Sequence, residues 1–313
     1  MATFDVEYRT SENPRFNPLT RAGELIRRRQ IIGTLAGKEL KVKYKSTILG
    51  VAWSMLNPLL YLLVFYIVFN LLLRGAIPDF AVFLLSGLLG YTLFSTAFQT
   101  ATTSIVDNAP LVTKVAFPRE ILPLSAIAAA LVNFGYQLAV LLLFMVVIGY
   151  GFTGWAVLLV PTALAVLLLF TAAVSMGTSA FNVRYRDTRH LVELSLVAWF
   201  WITPIVYAPA LVLDRLDGVA RMVYLANPLT AVTLAFQRAL YGLRLMGPCG
   251  GEVAPAAALP GRLASPECTT VLPDAGLGWY FYRLGLVAAA SAVLLMVTWW
   301  FFFRRSGDFA EEI

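Results

Sequence analysis

Five stretches of the chain carry no charged side chain: Ser46–Leu73, Phe80–Val106, Ile121–Val183, Leu194–Leu213 and Leu284–Phe303. A charge at mid-bilayer costs about 2.5–3.5 kcal/mol, and a helix needs roughly 20 apolar residues to cross the hydrocarbon. Each stretch therefore suffices for one helix. Ile121–Val183 suffices for two and is interrupted at Gly149-Tyr-Gly-Phe-Thr-Gly154, a glycine cluster that favours a turn. The pattern predicts an all-α integral membrane protein with six transmembrane helices, near 51–73, 80–105, 121–149, 156–181, 191–213 and 279–303.

Around this domain (46–303) the pattern leaves a polar amino-terminal segment (1–45), a tail (304–313) and one long connection, Asp214–Gly278. The first half of that connection repeats apolar residues at helical spacing: Val219, Val223 and Leu225, then Leu229, Val232, Phe236 and Leu240. Asn227-Pro228 interrupts them. Two short amphipathic helices are expected, lying at the outer interface or dipping into it. Met246–Gly278 is rich in Gly, Pro and Ala and reads as an irregular insert.

Composition narrows this further. Hydrophobic residues make up 59% and charged ones 13%, against about 45–50% and 25% in soluble domains, so little length remains for a separate soluble domain. Met1–Leu25 is polar, and no cleavable signal peptide is expected there.

Charge sets the orientation. Arg21, Arg27, Arg28, Arg29, Lys38, Lys41, Lys43 and Lys45 precede the first span. Lys114 and Arg119 lie between spans two and three; Arg184, Arg186 and Arg189 lie between four and five; Arg304 and Arg305 follow the sixth. The alternate loops hold only Arg74. Both termini are expected to be cytoplasmic, in the inner membrane. The 214–278 connection has its own arginines, but long loops translocate largely regardless of charge. The only two cysteines, Cys249 and Cys268, both fall in it. Such a pair fits a disulfide in an oxidising compartment; two unrelated free thiols are the alternative.

Asn17–Lys45 mixes Leu25, Ile26, Ile31, Ile32 and Leu35 with the basic set. It suits an amphipathic helix on the anionic inner leaflet, or equally a plain basic anchor. Tyr44 is the one aromatic residue among these charges, short of the aromatic interleaving that nucleic-acid binding would use.

Several chemistries are absent. The single histidine, His190, has no cysteine or acidic cluster around it in sequence and makes a poor metal site. No span carries a charge at its middle, as ion-coupled carriers usually need. The acids near spans are Asp107, Glu120, Asp187 and Glu193, at their ends, which disfavours a membrane glycosyltransferase. Gly33-Thr-Leu-Ala-Gly-Lys38-Glu39 is one residue short of a phosphate loop, with Glu39 where Ser or Thr would hold magnesium. No cofactor is expected in this chain; ATP and Mg would belong to a partner subunit.

Four motifs carry a resemblance: Tyr44-Lys-Ser-Thr-Ile-Leu-Gly-Val-Ala-Trp-Ser-Met-Leu-Asn-Pro58; Phe117-Pro-Arg-Glu-Ile-Leu-Pro123; Phe181-Asn-Val-Arg-Tyr-Arg-Asp-Thr-Arg-His190 with Trp201-Ile-Thr-Pro-Ile-Val-Tyr207; and Asn227-Pro-Leu-Thr230. In this order, over roughly Arg21 to Arg305, the chain resembles type-2 ABC exporter permeases of the polysaccharide class, the Wzm-like subunits that export O-antigen, teichoic acid or galactan. The resemblance implies a permease homodimer with two nucleotide-binding (Wzt-like) subunits, moving a lipid-linked glycan. Export of drug or haem is the alternative within the superfamily, and a passive scaffold lies outside it. The 246–278 insert departs from plain O-antigen permeases and tilts the expectation toward a galactan exporter.

Tyr61, Phe65 and Phe69 recur every four residues on one face of span one, and span five carries Phe200, Thr203, Pro204 and Tyr207. Aromatic rings stack on sugar faces, so Tyr61, Phe65, Phe69, Phe200, Thr203 and Tyr207 are candidates for the substrate path; ordinary helix packing or contact with lipid is the alternative. Among the hydroxyl-rich residues of span two, Gln99 is the candidate sugar hydrogen-bonder. Lys114, Phe117, Arg119 and Glu120 lie in the cytoplasmic turn where a coupling helix would meet the ATPase, unless that turn serves topology alone.

Overall fold

The computed structural model describes residues 17–45, 50, 53–68, 77–115, 117–151, 154–213, 215–246 and 269–313. Helix α4 (Phe80–Asp107) forms the axis of the bundle and packs on α6 (Ile121–Val147), α7 (Leu159–Arg184), α8 (Thr188–Ile202) and α11 (Pro228–Leu240). Helix α12 (Leu277–Arg305) lies along α7, and α2 (Arg29–Tyr44) along α6. The remaining helices are short: α1 (Pro18–Arg27), α3 (Trp53–Phe65), α5 (Ala109–Lys114), α9 (Pro209–Leu213), α10 (Gly218–Ala226) and α13 (Phe309–Glu312). Leu245–Met246 (β1) pairs antiparallel with Thr269–Thr270 (β2). The all-α expectation holds apart from this pair of two-residue strands.

Among the described residues, four helices are long and apolar enough to cross a membrane: Phe80–Asp107, Ile121–Val147, Gly154–Arg184 (including a 3₁₀ turn at its start) and Leu277–Arg305. Spans two, three, four and six expected from the pattern coincide with these. The count of six is not reproduced. Span one appears as α3, 13 residues long, with positions 51–52 and 69–73 outside the described residues. Span five is not one helix. Its α8 stops after 15 residues at Ile202, because Thr203 is extended and Pro204 has no N–H to continue the ladder.

Helices α10 and α11 are the two expected between spans five and six, and α11 takes the deeper of the two expected positions. They form a pair bent by 74° at Asn227, where the Asn227 side chain accepts the Leu229 N–H and Pro228 opens the new helix. Helix α11 does not lie on a surface: nearly every residue from Leu229 to Leu240 is buried. Small residues make this fit. A Cβ on Gly87 would come within 2.8 Å of the Gln237 amide, and one on Gly90 within 3.0 Å of the Phe236 ring. Close backbone approach at small residues is how helices associate where the solvent is itself apolar. Helical periodicity alone could not separate an interfacial helix from one inserted into the bundle. Counting this bent pair as one span, the candidate spans among the described residues number up to five.

One end of the bundle gathers α1, α5, the turn after α7 and α13, with Lys114, Arg184, Arg186, Arg304 and Arg305; it is the basic end. There Lys38 Nζ donates to Asn108 Oδ1 at 2.9 Å and Arg21 covers the Phe303 ring at 4.5 Å. Helix α2 then climbs along α6, and the Tyr44 hydroxyl meets Asn133 Oδ1 at 2.7 Å. At the far end, Arg244 approaches Asp79 Oδ2 (3.7 Å) and donates to the Tyr150 hydroxyl (3.3 Å), which donates to the Tyr241 carbonyl (2.9 Å). Burial pushes the Tyr150 hydroxyl up to about 12. These contacts tie the end of α11 to the α3–α4 and α6–α7 corners.

Candidate functional site

Helices α3, α4 and α8 bring five rings together. Tyr61 and Phe65, one turn apart, stack at 6.0 Å, and each stacks on Phe200 at 6.0 Å. Tyr91 of α4 meets Phe200 edge-on at 5.3 Å, and Trp201 closes on Phe65 at 6.4 Å. The Tyr91 hydroxyl donates to the Leu196 carbonyl, pinning α4 to α8. The cluster is open along one side: Tyr61 is 45% and Trp201 55% exposed. Such a surface offers ring faces to the C–H side of a sugar while making few demands on sequence. Thus Tyr61, Phe65 and Phe200 are brought together; Phe69 lies outside the described residues.

The other candidates on α8 and beyond have different surroundings. Where α8 breaks, its last carbonyls lose helical partners, and unpaired backbone at membrane depth costs several kcal/mol per group. The Tyr207 hydroxyl lies 3.2 Å from the Trp201 carbonyl and 3.0 Å from that of Ile202, donating to this pair. Thr203 is fully buried and its Oγ1 accepts from Asn227 Nδ2 at 3.3 Å. The Gln237 amide, also fully buried, donates to the Pro204 carbonyl at 2.9 Å. Thr203 and Tyr207 therefore hold the break and dock it on the bent α10–α11 pair. Gln99, toward the basic end, donates to Glu193 Oε1 at 3.3 Å, and His190 Nδ1 is 3.4 Å from Glu193 Oε2. An amide and a carboxylate side by side suit hydroxyl groups.

Sequence reasoning missed Tyr91, Glu193 and Gln237 as members of these clusters. Gln237 had a signal: an amide within an apolar helix must be hydrogen-bonded if buried. Tyr91 had none, since only the crossing of α4 on α8 gives it its neighbours.

In the turn between α4 and α6, Lys114 faces solvent, whereas Glu120 is 3% exposed and Phe117 packs partly against a buried group that includes Ile105, Val112 and Phe302. Arg119 turns inward, donating to the Gly307 carbonyl at 3.4 Å and covering the Phe309 ring at 5.9 Å. Burial lowers the Arg119 pKa, opposed by the carboxylates of Glu120 and Asp308. Of the four coupling candidates, Lys114 is the one fully presented. Cys249 and Cys268 lie outside the described residues. Among the described residues no group of three or more His, Cys, Asp or Glu could hold a metal. Gly33–Glu39 lies inside α2, so its amides are engaged in helix instead of forming a phosphate-cradling loop.

Known proteins resemble this sequence. Residues 30–241 match the family model described as ABC-2 type transporter. The O-antigen export system permease protein RfbA of Myxococcus xanthus is 35% identical over 223 residues, 71% of this chain and 84% of that protein. Two O-antigen export system permease proteins RfbA of Klebsiella pneumoniae are 32% and 30% identical, each over 66% of this chain and 78% of its own length. The matched region runs from the first residues of α2 to the end of α11, taking in the ring cluster, the broken α8 and the bent α10–α11 pair, and the chain belongs to the ABC-2 type transporter family.

Proposed function

We propose that this chain is the permease subunit of an ATP-driven exporter that moves a lipid-linked polysaccharide across the cytoplasmic membrane. It acts as a homodimer with two copies of a nucleotide-binding subunit, which supply the ATP and magnesium sites. The observation that carries the reading is the 35% identity to an O-antigen export permease over 84% of that protein's length. The open ring cluster of α3, α4 and α8 supports it, because stacking surfaces suit a long repetitive glycan. The placement of Gly33–Glu39 within α2 supports leaving hydrolysis to the partner. An O-antigen-like glycan is favoured over galactan, teichoic acid, drug or haem by the names of the relatives. The concentration of Lys and Arg at the basic end supports a cytoplasmic position for both termini.

The test is deletion of the gene in its host, followed by quantification of polymer at the cell surface. Loss of surface glycan, with lipid-linked polymer accumulating inside and recovery on complementation, is expected. Unchanged surface glycan contradicts the reading. Purified permease is expected to hydrolyse ATP only with its partner.

The strand register bears on the two cysteines. Met246 pairs with Thr269, three residues before Cys249 and one after Cys268, so the chain leaves and returns at adjacent points. A disulfide between Cys249 and Cys268 fits this register and an external loop. Non-reducing peptide mapping should find the linked pair, and two alkylatable thiols in native membranes would exclude it.

A further inference from the structure

Residues 306–313 do not trail from the last helix. The Ser306 N–H closes α12 on the Phe302 carbonyl at 2.8 Å, and the chain then folds back toward α5. Phe309 is 1% exposed and meets Phe302 edge-on at 5.3 Å. It shares a buried cluster with Val112, the single buried residue of α5. From the opposite side Arg119 donates to Gly307 and covers the Phe309 ring. Chain segments outside packed elements usually fray, whereas this one is held by the last long helix and by the α4–α6 turn together.

Helix α5 has six residues, too few to set its own geometry, since isolated helices under about 12–15 residues are marginal. Its orientation rests on what it packs against. We propose that 306–313 is a strut that fixes α5 for the ATPase and links α5 to α12 through Phe309 and Phe302, with Phe309 and Arg119 as positioning residues. This rests on the reading of the chain as an ATPase-driven permease. A displacement of α5 by the partner then reaches α12 directly, in addition to α4 and α6 on either side of it. Arg119 acts through the strut, and Lys114, exposed on α5, is left to meet the partner.

The experiment uses the assembled permease–ATPase complex in native membranes and reads polymer exported per ATP hydrolysed, with permease level and partner co-purification measured alongside. Phe309→Ala should keep the complex and its hydrolysis while the ratio falls about fivefold or more, the usual lower range of coupling between sites. Phe309→Leu, which refills the space, should restore most of it. Should Phe309→Ala not accumulate, Arg119→Met decides by the same ratio, because it removes the clasp and leaves Phe309 in place. A wild-type ratio in Arg119→Met, or in an accumulating Phe309→Ala, overturns the strut alone. Absence of ATP-dependent export by the wild-type complex overturns the underlying reading, and the strut with it.

Discussion

Two ring clusters share helices α4 and α8 and are drawn from the same residue types, yet their surroundings differ. Phe94 stacks with Phe98 at 5.4 Å and with Phe170 at 5.6 Å, while Trp199 meets Phe94 edge-on at 5.3 Å; the three phenylalanines are buried. Tyr61, Phe65, Tyr91, Phe200 and Trp201 form the second cluster, with Tyr61 and Trp201 half-exposed. Consecutive residues of α8 divide the work: Trp199 joins the closed cluster, Phe200 and Trp201 the open one. Aromatic content therefore says little about role. What distinguishes the two is the neighbour across the ring, helix α7 in the first case and the short α3 in the second.

Emptying the closed cluster should have the largest effect. Phe94→Ala removes a fully buried ring, and such truncations cost about 3–5 kcal/mol. Thermal unfolding in detergent should show a large loss of stability with little permease accumulating; near-wild-type unfolding would mean that the clusters do not differ as described.

An intermediate effect is expected where α8 breaks between the clusters and the bent α10–α11 pair. Gln237→Ala leaves the Pro204 carbonyl without its donor, a loss of about 1–3 kcal/mol. The variant should accumulate, unfold at a lower temperature and export less, because the break no longer holds α10–α11. Unaltered unfolding would remove Gln237 from this role.

The contrast also marks how far the sequence could be read. Charge-free stretches located four spans closely, because a charge in hydrocarbon is too costly to hide. Hydropathy could not locate the break at Thr203, since Leu194–Leu213 is charge-free whether helical or not; Pro204 was the only cue. The α10–α11 pair was legible as two helices broken at Asn227-Pro228, but the depth of α11 was not, because it depends on its close approach to Gly87 and Gly90 on α4. Spacing put Tyr61 and Phe65 on one helical face, where they stack, and named Phe200 and Tyr207 beside them; that the Phe200 ring joins the stack while the Tyr207 hydroxyl engages the end of α8 comes from the fold alone. At the basic end, the turn was legible from its charges, but the inward direction of Arg119 depends on residues 188 positions away.

The smallest stability effect belongs to Gln99→Ala. Its bond to Glu193 is exposed, and such contacts contribute about 0.5 kcal/mol or less to stability. Unfolding should be unchanged while export of polymer falls modestly. Wild-type export would assign the Gln99–Glu193 contact to the surface alone.

The open cluster decides whether its rings serve transport. Tyr61→Leu and Phe65→Leu, singly and together, keep apolar volume near lipid, and such swaps cost under about 1.5 kcal/mol when volume is roughly kept. The measurement is polymer delivered to the cell surface by each variant, at matched permease level and with the ATPase subunit co-purifying. Glycan stacking predicts export reduced by each change and reduced most by the pair. Normal export by the double variant, in complexes that assemble normally, contradicts a glycan path along these rings.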